Sequence, residues 1–180
     1  IFKKKITLLG SGRTDSGVHA QGQVAHFKAV TRMPTEEMVR AFNANLPDDI
    51  AVLSCEEVPL SFHAQHNVRR KTYRYTIVNR LIRPVLKRRD VVHVAHPLNL
   101  SRMRKEAKAL IGKHNFRAFM ASDSNLQLAP AKETVRTIHR IDIRKRGEEV
   151  SLKIEADGFL YKMVRNIVGT LLAVGTGKLP

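Results

Sequence analysis

Two strand-like stretches, Thr134 to Arg144 and Val150 to Asp157, the second alternating apolar and polar residues, flank Arg146-Gly147-Glu148. A period of two puts alternate side chains on opposite faces of a strand, and a glycine between two such runs marks a tight reversal. The pair therefore predicts a β-hairpin. The segment after it changes period. Leu160, Met163, Val164, Ile167, Val168, Leu171 and Leu172 recur at helical spacing, which predicts a strongly amphipathic helix ending near Gly175 and Gly177. Strands that follow one another and then meet a helix favour α+β architecture over a doubly wound parallel sheet.

The rest of the chain fits that mixture. Ile6 to Leu9 and Gln23 to Val30 predict strands, with the glycine-rich segment Gly10-Ser11-Gly12-Arg13-Thr14-Asp15-Ser16-Gly17 after the first. Thr35 is an expected N-cap, with Glu36 and Glu37 suited to the positive end of the helix dipole. Met38, Ala41, Phe42 and Leu46 supply the apolar face of that helix, and Ile50 to Val58 is an expected strand. Lys71 to Val78 alternates, with Tyr73, Tyr75 and Ile77 on one side. Val91 to Ala95 predicts a short strand. Asn99 or Ser101 caps a third predicted helix carrying Met103, Ala107, Leu110 and Ile111, with Gly112 as its stop. Residues 112–133 read as loop. A division near Pro97 separates an expected N-terminal half, 1–96, from a C-terminal half, 97–180.

Composition narrows the function. The 180 residues carry 32 lysines and arginines against 16 aspartates and glutamates, a formal net charge of +16. So basic a domain attracts polyanions. A hydrophobic share of 43 % is too high for a disordered basic tail. With the single cysteine Cys55 there is no disulfide framework and no cysteine-based zinc site. No stretch approaches the ~20 apolar residues of a membrane span. The chain opens at Ile1 rather than methionine, so its natural start is expected upstream. A reducing, cytoplasmic compartment is the expectation.

Charge is unevenly placed. Arg69 to Arg89 holds nine basic residues, no acidic one, and both Tyr73 and Tyr75. Cations suit phosphates and tyrosine rings stack on bases, although a solvated strand face has the same pattern. The first 35 residues hold six basic residues and one acid, Asp15. Among glycines and beside Arg13, Asp15 is a candidate nucleophile or base, or an aspartate that hydrogen-bonds a tight turn. The glycine spacing does not match a phosphate-binding loop. His19 either orients Asp15, touches a phosphate or packs the turn. His63/His66 and His93/His96 have metal-like spacing but no third ligand, so no metal is expected. Arg165, on the polar side of the last helix with Lys162 and Asn166, is either solvated or the partner of a buried carboxylate, a pair that costs ~3–5 kcal/mol to break.

Three blocks, in order, carry a resemblance. Gly12-Arg13-Thr14-Asp15-Ser16-Gly17-Val18-His19-Ala20 followed by Gly22-Gln23-Val24, then Arg70-Lys71-Thr72-Tyr73-Arg74-Tyr75, then Gly158 to Gly169 resemble the signatures of the tRNA pseudouridine synthase A family. Phe62-His63-Ala64 and His114-Asn115-Phe116 are weaker matches. Ser16 stands where alanine is more usual and Gln65 where arginine is common. In the family a strand and helix precede the point where this chain begins, and a closing segment follows the point where it stops.

The resemblance implies two similar RRM/ferredoxin-like halves that form a long, mostly antiparallel sheet, with helices on one face and an active-site cleft between the halves. It implies a homodimer that isomerises uridine to pseudouridine in the anticodon stem-loop of tRNA, without cofactor or metal. Asp15, Tyr73 and Arg165 are the implied catalytic residues. Arg13, His19, Arg69, Arg70, Lys71 and Leu160 are the implied substrate-binding residues. A non-catalytic RNA-binding or RNA-folding module is the alternative.

Overall fold

The computed structural model describes residues 1–2, 4–121 and 131–180. They form two compact units, Ile1–Val68 and Arg69–Pro180. Together the described residues hold three α-helices and a mixed five-stranded sheet, an α+β arrangement as expected.

The first unit has little regular structure. β1 (Leu9–Gly10) and β2 (Ala25–His26) pair antiparallel over two residues each, much shorter than the strands expected there. α1 (Thr35–Asn43) begins one residue away from expectation. Pro34 is the N-cap and Thr35 is already helical, with no side-chain cap bond. Proline's fixed φ allows this, and Glu36 and Glu37 still sit in the first turn. Phe42 meets Phe2 and Phe27, and those two meet each other, with ring centroids 5.5–6.1 Å apart. The strand expected at Ile50 to Val58 does not form. The Asn43 side chain takes the place of a neighbouring strand, accepting from the Val52 N–H at 2.7 Å and donating to its carbonyl at 2.9 Å.

The second unit is the sheet and its helices. Its strands are β3 (Lys71–Asn79), β4 (Val92–Val94), β5 (Gly112–Asn115), β6 (Val135–Arg146) and β7 (Glu149–Ala156), in the spatial order β4-β3-β7-β6-β5. The β3–β4 pair is parallel and the others are antiparallel. β3 and β4, on the N-terminal side of Pro97, are thus strands of this sheet. β5 and two short 3₁₀ turns, Arg117–Phe119 and Ala131–Thr134, occupy part of the segment expected to be loop. The hairpin forms as expected, and Gly147 takes the left-handed conformation at its turn, φ +58°.

Periodicity builds the core. Val150, Leu152, Ile154 and Ala156 alternate along β7 and are fully buried. β6 breaks strict alternation, since Ile138 and Ile143 differ in parity. A register shift between Ile138 and Arg140 inserts one extra residue and returns both isoleucines to the buried face. α2 (Leu100–Lys108) is capped by Asn99, whose side chain accepts from the Arg102 N–H at 3.0 Å. Its Met103 and Ala107 join the core, and Leu110 and Ile111 fall beyond its end. α3 (Met163–Gly175) adds Met163, Val164, Ile167, Val168 and Leu171. It starts at Met163, so Leu160 lies in the turn before it.

Candidate active-site elements

Arg13, Asp15 and His19 lie in the loop of the first unit that β1 and β2 hold at its base. The ladder continues through the Ser11 N–H, which donates to the Val24 carbonyl at 2.8 Å. Gln23 then reaches across. Its Oε1 accepts from Ser11 Oγ at 2.9 Å, and its Nε2 donates to the Gly12 carbonyl at 2.5 Å. Further along, the Asp15 carbonyl accepts from the Val18 N–H at 3.1 Å and Gly17 sits at φ +78°, the third residue of a tight turn that favours glycine there. The Asp15 backbone heads a turn, while its side chain is half-buried beside exposed Arg13 and His19.

In the second unit the start of β3 meets the end of β7. Lys71 is level with Ala156, Thr72 with Glu155 and Tyr73 with Ile154. Gly158-Phe159-Leu160 follow β7 directly, and Phe159 packs edge-on against the Tyr73 ring at 5.1 Å. Tyr73, Phe159 and Leu160 all pack against the core cluster. Tyr73 is therefore an anchored, half-buried ring. Arg70 pairs with Glu155 at 2.9 Å, and Arg69 is exposed. Arg165 is exposed in the first turn of α3. Asn166 beside it donates to the Phe119 carbonyl at 2.8 Å, tying the first 3₁₀ turn to α3. Lys162, the N-cap of α3, is the one non-glycine residue with positive φ among the described residues, at +55°, and its ammonium lies 4.9 Å from the Tyr161 ring. A left-handed lysine at the positive end of a helix breaks two local preferences at once.

The basic run is partly neutralised from elsewhere in the chain. Arg80 pairs with Glu148 at 2.9 Å and Lys87 with Glu149 at 2.7 Å, both acids belonging to the β6–β7 hairpin. Lys87 holds the Glu149 carboxyl below its usual value, first by its hydrogen bond and then by its charge. Arg83, Arg88 and Arg89 make no ion pair among the described residues.

The histidine pairs behave differently from each other. The His63 ring meets His66 with centroids 4.1 Å apart and His26 at 4.8 Å, both tilted, at 37° and 58° between planes. Removal from water, and then the neighbouring His66 and His26, lower the His63 pKa. His93 Nε2 bonds the Arg80 carbonyl at 2.8 Å. Among the described residues no group of three or more His, Cys, Asp or Glu side chains is arranged to hold a metal ion. No helix of the described residues is long and apolar enough to cross a membrane.

Sequence reasoning gave no role to Gln23, Phe159 or Glu155. Gln23 and Phe159 stand inside the resembling blocks, which was the available signal. Glu155 had none, because it lies 85 positions from Arg70.

Comparison with known proteins agrees with the sequence blocks. A family model described as "tRNA pseudouridine synthase" matches residues 2–67 and 107–180. Asp15 and Arg165 fall inside the match. Tyr73 falls between its two parts, in a stretch that alignments with whole relatives span. The chain is 45 % identical over 176 residues to tRNA pseudouridine synthase A of Thermoanaerobacter sp. (strain X514), covering 98 % of this chain and 70 % of that protein. It is 48 % identical over 169 residues to tRNA pseudouridine synthase A of Clostridium botulinum (strain Eklund 17B / Type B), covering 94 % and 67 %. It is 44 % identical over 178 residues to tRNA pseudouridine synthase A 2 of Clostridium perfringens (strain 13 / Type A), covering 99 % and 71 %. With both the family match and these identities spanning most of its length, the chain belongs to the tRNA pseudouridine synthase family.

Proposed function

We propose that the protein isomerises uridine to pseudouridine in the anticodon stem-loop of tRNA, with Asp15 as the essential carboxylate. The observation that carries this is Asp15 itself. It is the only acid of the first 35 residues, and it stands in a glycine-rich loop tied at its base. The substrate uridine leaves the base stack, at a cost of a few kcal/mol that cation–phosphate contacts offset. Asp15 then starts cleavage of the bond between N1 and the sugar, by covalent attack or by removing a sugar proton. The freed uracil turns and rejoins the sugar through C5. A proton leaves C5 and N1 ends protonated, so the product is an isomer of the substrate. Tyr73 stacks on the uracil and assists proton transfer. Arg165 is the third residue of the proposed catalytic set. Arg13, His19, Arg69, Arg70, Lys71 and Leu160 bind the RNA. The same reading takes the protein to be a cytoplasmic homodimer in which each chain has two similar halves, 1–96 and 97–180.

The test is Asp15→Asn, which removes the carboxylate and keeps its size. Pseudouridine formation in tRNA should fall below detection while tRNA binding persists. Turnover retained by Asp15→Asn overturns the assignment of Asp15, whereas undiminished cellular benefit from an Asp15→Asn protein without turnover favours a non-catalytic RNA-binding or RNA-folding module.

A further inference from the structure

We propose that Gln23 is a positioning residue for catalysis, a brace that closes the Asp15 loop and sets where its carboxylate stands; this rests on the catalytic reading of Asp15. β1 and β2 pair over only two residues, and one further backbone bond joins Ser11 to Val24. So short a ladder holds a long loop weakly. Gln23 extends it. One amide group bridges two successive residues of the opposite arm, accepting from the Ser11 hydroxyl at 2.9 Å and donating to the Gly12 carbonyl at 2.5 Å. Gly12 carries no side chain that could be packed to hold it in place, so its carbonyl is the handle available, and Asp15 is three residues further on. The Gly17 turn fixes the other side of Asp15 through the Val18 N–H. The Asp15 backbone is therefore held between a side-chain clamp and a backbone turn.

The role needs an amide. Gly12 offers an acceptor and Ser11 a donor, so the bridging group must both donate and accept. A carboxylate of the same shape supplies acceptors only and sets a negative oxygen against the Gly12 carbonyl.

The experiment compares Gln23→Glu, Gln23→Ala and Asp15→Asn in the full protein. Displacing a reacting group by about 1 Å costs on the order of 100-fold. Both Gln23 variants should lose about 10- to 100-fold in kcat, with KM for tRNA changed by less than about twofold. A pH profile supplies a readout that a merely structural role would not move. The activity of Gln23→Glu relative to the parent should rise as pH falls through the titration of the introduced carboxyl, because its protonated form regains a donor for the Gly12 carbonyl. Gln23→Ala should show no such recovery. Unchanged kcat in both variants while Asp15→Asn is inactive overturns the brace, as does equal pH behaviour of the two. Amide hydrogen exchange at Gly12 to Gly17 separates this inference from the one beneath it. Faster exchange in Gln23→Ala beside an active Asp15→Asn means that the brace stands and the carboxylate's role does not. Unchanged exchange overturns the brace whatever the activity.

Discussion

At the scale of single residues, what a side chain is could be read from the sequence more readily than what it touches. Tyr73 was legible as one face of an alternating strand, and β3 places it so. Its packing against Phe159 was not legible, because the two residues are far apart in sequence and meet only when β7 pairs with β3. His63 is a second case. Its spacing from His66 was visible, whereas its contact with His26 depends on how residues 62–67 fold onto β2. The consequence is a pH dependence. The folded form binds a proton on His63 less readily than the unfolded chain, whose value is near 6.5. Its contribution to stability is complete above that value and is lost as pH falls below it toward the lower folded value. Thermal melts between pH 7.5 and 5.5 should show this loss, and His63→Gln should flatten it. Identical pH slopes in parent and variant would rule the histidine cluster out as the cause.

At the scale of elements, helical and strand periods carried most of the information. β3, β7, α2 and α3 lie close to their predicted spans because each has an apolar face of its own. Elements without such a face were misplaced, as at Ile50 to Val58, where Asn43 satisfies the backbone without a strand. β5 was invisible, since Gly112-Lys113-His114-Asn115 has no apolar alternation and is a strand only because β6 pairs with it. The join of α2 and α3 is tight. A Cβ built on Gly175 would lie 2.6 Å from Met103 Sδ, 2.9 Å from its Cγ and 3.0 Å from Leu98 Cδ2. Met103 is fully buried, so making room for the Cβ means repacking it against its core neighbours. Gly175→Ala should therefore destabilise the protein by about 1–3 kcal/mol. Gly169→Ala is the control on the same helix, where a Cβ meets nothing within 4 Å. Denaturant unfolding of both checks this, and equal midpoints would refute it.

At the scale of the whole molecule, charge is the property that tertiary structure revised. The run from Arg69 to Arg89 has no acid of its own, yet Arg70, Arg80 and Lys87 are paired with Glu155, Glu148 and Glu149 from the hairpin. Exposed pairs of this kind add little stability. They do alter which cations are available to phosphates. Replacing Arg88 and Arg89 together by alanine should lower the slope of log affinity for tRNA against log salt by about 1–2. Arg80→Ala should leave that slope nearly unchanged. Binding titrations over a series of salt concentrations measure both, and a larger effect from Arg80 would show that its pairing with Glu148 opens on tRNA binding.

The amino-acid sequence by itself determined the α+β class, the hairpin and its turn, the amphipathic helices and the three blocks that mark the family. These are local properties, because a period or a motif is complete within a dozen residues. Only the tertiary structure decided the strand order, the parallel β3–β4 pair, the extra residue near His139, the partners of the basic run and the clamp of Gln23 on Ser11 and Gly12. Each of these joins groups whose meeting depends on how the chain closes upon itself, and neither group carries that information alone.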